Sequence, residues 1–567
     1  MAKKLPNITP EYVKELATYV ERKYGGRNTL YQTLRNARFM KTTVDIPDHL
    51  RLTGFQAQSA AAYEMVKRST AIMSAAMPIP KVIPTKDTQD AQANSSKQEK
   101  IFAACWRLLM TDIYPKVLDA IATYGLGVTK VYVKRKEWGG FTPRYEDEDA
   151  DGFLGRVDAY HRQHFPFDAE QVDNFTYFPI YDADGLAMVL EISSREAYPL
   201  AEKYNLDVDE KGHLVKHGLG ITGQRDKFPE QVKFYELWTR NQWLRMVDGG
   251  TIVEKGTHTF ERPPYFEASA GITSSREPDE EHPAFIHSLI KAQAILDYYK
   301  TIRANWAIYT AKPLIYLEPV TEEAVGLDPK IKTIELRQGD VANQIPIGYK
   351  LAIVPLPPAG TELQSMYEEA RREVESLSLA PILQGILPGA DTSNAAAIAM
   401  IAVAKSIFAP ATRSIAKMFD DIGGFIRDRV EHDLKEAVPI YVVDKKTNEW
   451  LELEPSDNVG LIRHTLEPVL PAERYQAMMA WRVPFTDGVI SERYYQEVGC
   501  GIESPEEMQE EKDTERMMKQ PAADQYVWEK AMEILGEGAA PGLPPPGTPA
   551  TPVGGMGGPG AVVVAGA

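Results

Sequence analysis

Four aspartates in the stretch YEDEDADGFLGRVD have the spacing of a cation site. Asp147, Asp149, Asp151 and Asp158, with Gly152, fit the first, third, fifth, twelfth and sixth places of a calcium loop. Such a loop wraps a hard cation in oxygen ligands and closes on a bidentate glutamate. Here Asp158 stands at that place, and strands rather than helices are expected on both sides. An exposed acidic turn is the competing reading. YGLGVTK, 124–130, resembles a phosphate-binding glycine loop, but that loop needs a lysine directly after its last glycine, and the chain holds no Gly-Lys pair. The stretch reads as a helix-to-strand turn, and ATP hydrolysis by this route is excluded. His213 and His217 could share a helix face, yet no HExxH glutamate adjoins them, and GHLVKHGLG looks like loop. His161 and His164 are no better placed. With no GxSxG elbow, and no histidine near Cys105 or Cys500, nucleophilic catalysis has no carrier. The residues call for no cofactor and point to no enzyme.

The totals narrow the remaining classes. At 567 residues the chain exceeds the size at which one core keeps growing, so two or more structural regions are expected. A net charge of -17 opposes wrapping of nucleic acid, which needs clustered Lys and Arg. It leaves room for a wall along which DNA slides without being gripped. Two cysteines make no disulfide framework. The start, MAKKLPNITPEYVKEL, is basic and then polar, unlike a signal peptide, and reads as cytosolic. The longest apolar run in the body, Ala395 to Ala404, is about half of the ~20 residues that cross a bilayer.

The elements follow from periodicity and punctuation. Thr9-Pro10-Glu11 predicts a helix start. QAQSAAAYEMVKRSTAIMSAAM, 56–77, predicts a helix that stops before the extended PIPKVIPT. DTQDAQANSSKQ is a polar link or helix start, Ile101 to Tyr124 is helical, and GLGVTKVYVKRKEW turns into a strand. Residues 125–265 read mostly as strands, with a short helix near 194–205 and a meander closed by Asp248-Gly249-Gly250. In 284–311, apolar residues recur at Phe285, Leu289, Ala292, Leu296 and Tyr299, and again at Ile286, Ile290, Ile295, Ile302 and Trp306. A helix with two apolar stripes is contacted from more than one side. A β-rich insert from Pro313 to Pro358 precedes a helix with one stripe, Leu363, Met366, Tyr367, Ala370, Val374 and Leu377. Its other face offers the pairs Glu368–Arg372 and Arg371–Glu375. Then come a Gly- and Pro-marked loop, a long alanine-rich helix to about Lys435, the hairpin PIYVVDKKTNEWLEL, and helices over 471–535. The tail from Gly536 lacks core-forming side chains and is expected to be disordered.

This order resembles the portal, or head-to-tail connector, proteins of tailed bacteriophages. The likeness spans about residues 30–520 and lies in collinearity more than in any single motif. AYEMVKRSTAIMSAAMPIPKVIPT is similar to the family's N-terminal helix, DAIATYGLGVTKVYVKR to its helix–glycine turn–strand, and PILQGILPGADTSNAAAIAM to its tunnel loop and long helix. VPFTDGVISERYYQEVGCGIESPEEMQEEKDTER is similar to its crown. The resemblance implies an α/β (α+β) fold divided into N-terminal helices and wing (1–282), a first stem helix (283–311), a clip (312–358), a second stem helix (359–382), a tunnel loop (383–394), a long kinked helix (395–435), a wing hairpin (436–470), crown helices (471–535) and the Gly/Pro tail (536–567). It implies a dodecameric ring in the virion, at one capsid vertex, assembled in the host cytoplasm, with double-stranded DNA in its channel. The implied partners are the terminase large subunit, capsid and scaffold proteins, and a tail or head–tail adaptor. No membrane is involved. Channel contacts are expected from Gln384, Gly385, Ile386, Leu387, Pro388, Gly389, Ala390, Asp391, Thr392, Ser393 and Asn394, and partner docking from Glu335, Leu336, Arg337, Gln338, Asp340, Asn343 and Gln344.

The residues themselves agree with a crowded, perforated assembly. Ala395, Ala396, Ala397, Ala399, Ala402 and Ala404 let helices approach closely. Asp391, Thr392, Ser393 and Asn394 are candidate N-caps. Pro410 removes the hydrogen bond to the Ser406 carbonyl and predicts a kink. Residues 383–419 alone fit a buried hairpin in a large helical core equally well. Another head–tail adaptor or tail protein, a metal-dependent nuclease using the acids of 147–158, and a membrane pore are the other readings.

Overall fold

Thr9 opens the first helix as expected: its hydroxyl accepts from Tyr12 N–H (3.2 Å), and Pro10 occupies the first turn of α1, Pro10–Lys23. The computed structural model describes most residues from 8 to 466. Outside the described residues lie 46–54, 135–149, 210–212, 217–227, 312–314, 321–348, 354–360, 381–382, 384–399, 444–447, several single positions, and all beyond 466 except 482 and 486. Two units divide the chain, Met1–Leu470 and Pro471–Ala567, and the described helices and strands belong to the first.

The helices are α1, α2 (Gly25–Arg38), α3 (Ala61–Ser74), α4 (Gln89–Met110), α5 (Tyr114–Tyr124), α6 (Ala150–His164), α7 (Ala197–Tyr204), α8 (His287–Ala311), α9 (Thr361–Leu377) and α10 (Ala409–Arg429). Every described ladder is antiparallel, so the fold is α+β and not a parallel α/β sheet. Strands β1 (Ile79–Ile83), β2 (Leu126–Val133), β3 (Phe167–Val172), β4 (Tyr177–Asp182), β5 (Gly185–Glu196), β6 (Leu206–Val208), β7 (Leu214–Lys216), β8 (Gln231–Trp238), β9 (Gln242–Val247), β10 (Thr251–Thr257) and β11 (Tyr265–Ser269) precede α8. β12 (Ile315–Pro319) and β13 (Tyr349–Ile353) lie between α8 and α9; β14 (Val438–Val443), β15 (Asn448–Leu453) and β16 (Leu461–Thr465) follow α10.

The meander forms the core of a five-stranded sheet in the order β10-β9-β8-β5-β4. Its Asp248-Gly249-Gly250 turn places both glycines at φ near +90° (91° and 90°), a region costly for other residues. Val13, Ala17 and Val20 of α1 pack on this sheet against Phe178, Leu190 and Leu237. A second sheet, β11-β2-β3, meets α5 and α10. The largest core joins α2–α5, α8, α9 and α10 with the two ribbons β1–β16 and β14–β15. The ribbon β1–β16 is anchored by Trp106, whose indole N–H donates to His464 Nε2 (2.9 Å) while His464 Nδ1 meets Asp420 (2.8 Å).

Several expectations change. Residues 56–60 form no helix, and α3 starts only at Ala61. The helical run from Ile101 breaks at 111–113, where Pro115 enters the first turn of α5. The second half of the acidic stretch is helix α6, not turn. Asp151 and Asp158 therefore sit about 10 Å apart along a helix axis and cannot close a loop around one ion; Asp147 and Asp149 lie outside the described residues. At Pro410, where the sequence predicts a kink, the helical winding changes. A 3-10 turn, Ser406–Phe408, precedes it, and the Ser406 carbonyl that Pro410 cannot serve accepts from Ala409 N–H instead. Pro410 then stands in the first turn of α10, where a missing N–H costs nothing.

Gly125 ends α5 at φ 83°, and a Cβ there would lie 2.1 Å from the His282 carbonyl oxygen. Gly125→Ala is expected to destabilise the protein by about 2 kcal/mol or more, read as a lowered midpoint in urea unfolding.

Candidate functional site

The arrangement with the most functional content is a helix pair with a ribbon between its members. α8, 25 residues and about 38 Å long, buries Leu289, Ala292 and Leu296 against the main core. α9 lies against it through Ala370 and Val374, with Tyr299 Oη 3.5 Å from Met366 Sδ and the Arg303 guanidinium over the Tyr367 ring at 5.0 Å. Outside the pair α9 is charged, and the Arg371–Glu375 pair forms at 2.8 Å, whereas Glu368 accepts from Gln364 (2.6 Å). Between the helices β12 and β13 form an antiparallel ribbon, Ile315 opposite Ile353.

The second side of α8 is not what its apolar residues suggest. Ile286 is buried, Ile290, Ile302 and Trp306 are half-buried, and Ile295 is exposed. Between the stripes runs a buried polar row at every fourth residue, Gln293, Asp297, Thr301 and Asn305. It serves a strap of chain without regular structure, residues 55–60, and the first turn of α3. Thr301 Oγ1 accepts from Ala57 N–H (3.0 Å), Asp297 Oδ1 from Ser59 N–H (2.8 Å) and Gln293 Oε1 from Ala62 N–H (2.9 Å). Gln293 Nε2 donates to the Ser59 carbonyl (2.9 Å) and Asn305 Nδ2 to the Phe55 carbonyl (3.2 Å). The Q-x3-D-x3-T-x3-N spacing was legible, but only the apolar residues of this helix point to a core.

Downstream of the pair, Leu379 and Leu383 are buried in the main core. The expected channel residues, 384–394, and the expected docking residues, 335–344, lie outside the described residues, as do Ala395 to Ala399. The segment leading into α10 presents Met400, Val403 and Ile407 to solvent, Val403 at 73% exposure, while Phe408 and Ala411 face the core. This apolar face has the i, i+3, i+7 spacing of a helix contact.

The remaining candidates are structural. His161 is buried on α6, accepts from Tyr441 N–H (3.2 Å) and packs on Trp450; burial holds its pKa down at about 4. His213 directly precedes strand β7, so it shares no helix face, and His217 lies outside the described residues. Burial pushes the Cys105 thiol up to about 12, where it is an inert thiol. Among the described residues no group of three or more His, Cys, Asp or Glu could hold a metal, and no helix is long and apolar enough to cross a membrane.

One charge cluster escaped the sequence. Lys130 of β2, 2% exposed, reaches Glu236 (2.9 Å), Glu170 (3.4 Å) and Glu191 (3.5 Å). Glu191 and Glu236 stand directly opposite across β5–β8, a repulsive pairing that Lys130 makes tolerable. Arg245 adds bonds to Glu236 (3.0 Å) and Glu254 (2.7 Å). The cluster fastens the three-stranded sheet to the five-stranded one. It also floors a cleft of about 1150 Å³ walled by Trp238, Trp243, His258 and Phe260. The carboxylates already engage both cations, so the cleft has no spare positive charge there.

No family model matches the chain, and no curated protein does. Solved structures do. The chain is similar, at 11% identity and a TM-score of 0.40, to a chain from the neck of an empty gene transfer agent particle computed with C6 symmetry, covering 83% of this chain and 93% of that one. A chain from the virion of the native particle gives 11% identity and 0.39, covering 83% and 99%. One from the native neck computed with C12 symmetry gives 11% and 0.38, covering 81% and 97%.

The cluster sets two expectations. Lys130→Met leaves buried carboxylates without their ammonium and is expected to cost about 3–5 kcal/mol, with partial recovery when Glu236→Gln is added. Lys130 and Arg245 hold the Glu236 carboxyl at about 2, below its ordinary 4.5, against the opposing effect of burial. Its contribution is therefore present above pH 4.5 and lost as pH falls towards 2, while Glu191, raised by burial, acts in the opposite sense. Urea unfolding across this range, in wild type and Glu236→Gln, measures the difference.

Proposed function

We propose that this chain is the subunit of a phage-type portal: a ring, twelve subunits by family habit, that forms the DNA channel at one capsid vertex and docks terminase and a tail or adaptor. The carrying observation is the helix–ribbon–helix unit. α8 and α9 lie side by side, and the chain between them pairs β12 with β13, the order expected of stem, clip and stem. This support does not depend on the likenesses to solved structures.

Three further features agree with the reading. Met400, Val403 and Ile407, with Ile295 of α8 and Met366 of α9, leave large apolar side chains in solvent on helices that a ring would crowd together. The 3-10 turn before Pro410 marks the place where a helix running from channel to crown would change its winding. The hairpin β14–β15 packs on α6 through Trp450 and Tyr441, which suits its assignment to the wing. In this reading the protein does no chemistry of its own; residues 384–394 line the channel and 335–344 meet the docking partners.

Light scattering after gel filtration, with negative-stain imaging, tests the ring. Particles with a central hole near twelve times the 63.3 kDa chain mass are expected; a monomer or dimer that persists with scaffold protein and at high concentration overturns the proposal. Deleting Gly385 to Asp391 is then expected to leave rings intact and impair DNA packaging or retention. Undiminished packaging and retention by the deleted rings removes the channel assignment.

A further inference from the structure

The ribbon β1–β16 turns one face to the core and leaves the other bare. Burial alternates along both strands: Val82, Ile462 and His464 are buried, while Ile79, Lys81, Ile83, Leu461, Arg463 and Thr465 are exposed. The antiparallel register sets the exposed six in three rungs, Ile79 opposite Thr465, Lys81 opposite Arg463 and Ile83 opposite Leu461. Ile79, Ile83 and Leu461 are each more than half exposed. Beside the apolar rung stands a rung of two like charges, which destabilise a ribbon when they face each other. Asp420 pairs with Arg463 (3.2 Å), but among the described residues no carboxylate pairs with Lys81. In the chain alone, one rung leaves apolar surface in water and the next sets two cations against each other.

A surface of opposite character follows β11. Ile272, 75% exposed, is the most exposed large apolar side chain among the described residues. Behind it SREPDEEH, 275–282, holds four acids against one arginine. The loop is ordered by its own bonds. Thr273 N–H donates to the Glu281 carbonyl (3.2 Å), the Thr273 hydroxyl to the Glu280 carbonyl (2.7 Å), and the Ser275 hydroxyl to the Glu280 carboxylate (2.8 Å). These bonds hold the neighbour of Ile272 against the acidic turn, so the isoleucine and the acids form one patch. Among the described residues no cation pairs with Glu277, Asp279, Glu280 or Glu281.

We propose that these two patches meet between neighbouring copies of the chain. The loop 272–281 of one subunit docks on the outer face of the next subunit's β1–β16 ribbon, Ile272 against Ile83 and Leu461, the acids against Lys81 and Arg463. The proposal rests on the ring of the preceding section and adds to it the surfaces that touch. A closed ring repeats one head-to-tail contact, which needs two different and mutually complementary patches on every subunit. The ribbon is apolar and basic, the loop apolar and acidic. Both are exposed, so neither covers the other within one chain. Copies of net charge -17 repel one another overall, and attraction has to come from local complementarity, which also fixes the register of docking. A nucleic acid backbone would satisfy the two cations but leave Ile83 and Leu461 in water. The loop satisfies both rungs.

Engineered cysteines test the contact in the full-length protein carrying Cys500→Ser, where the remaining Cys105 is buried. Ile272→Cys and Leu461→Cys subunits, co-assembled in equal amounts and mildly oxidised, are expected to give disulfide-linked dimers, and neither variant alone does. Full-size rings without linked dimers overturn the pairing while the ring itself stands, the ribbon then facing some other partner. Linked dimers without closed rings support the contact and overturn the ring. Neither product, at high concentration and with scaffold protein, overturns both. Charge exchange reads the same contact independently. Lys81→Glu, and separately Glu277→Lys with Glu280→Lys, are each expected to raise the concentration needed for rings by about tenfold, and all three together to restore it. All three side chains are exposed, so the unfolding midpoint of the subunit is expected to hold. Rings indifferent to both changes, or not restored by their combination, overturn the pairing.

Discussion

Backbone amides cannot be buried without acceptors, and an irregular segment on the side of a helix has no strand to supply them. α8 resolves this by turning one row of side chains into a substitute strand edge. Gln293, Asp297, Thr301 and Asn305 rise by about one turn each and bond the backbone at Ala62, Ser59, Ala57 and Phe55 in turn, an antiparallel match. This match lets α8 face the core with one side, α9 with another and the strap with a third. A purely apolar helix at this position could bury the same area but would leave the strap amides unpaired.

The junction between the two sheets obeys a related constraint. Antiparallel register brings Glu191 and Glu236 face to face, and Lys130 enters from the other sheet to satisfy both. Removing one partner of such a cluster is expensive because the others remain buried, so it fixes the relation of the sheets more firmly than surface pairs could. Together the polar row and the buried cluster tie the N-terminal helices, the β-rich body and the helix pair into one unit around the main apolar core.

That rigid body suits a subunit whose working parts are presented to other chains. Exposed apolar residues occur on helices, at Met400, Val403 and Ile407, at Ile295 and at Met366, and also on the β1–β16 ribbon, at Ile79, Ile83 and Leu461, and beside strands, at Ile272 and Val320. The outer face of α9 mixes acids with arginines, and Lys130 and Arg245 beneath the cleft are engaged by carboxylates.

Local chemistry was legible in the sequence because it acts over a few residues. Thr9 caps α1, Asp248-Gly249-Gly250 closes the meander, Gly125 turns α5 into β2, and the hairpin β14–β15 forms where alternation placed it. The sequence also carried the order of helix, insert and helix, which is the basis of the channel reading. Tertiary structure decided what depends on distant partners. Residues 56–60 have good helix formers, yet α8 draws them out as a strap. β1 finds its strand partner near residue 465, the second half of the acidic stretch, from Ala150, becomes part of α6 packed on β14–β15, and the opposed glutamates are tolerable only because Lys130 arrives from another sheet. Propensity and capping are worth a kilocalorie or so per residue at most, and a buried hydrogen-bond row or charge cluster outweighs them where the two disagree.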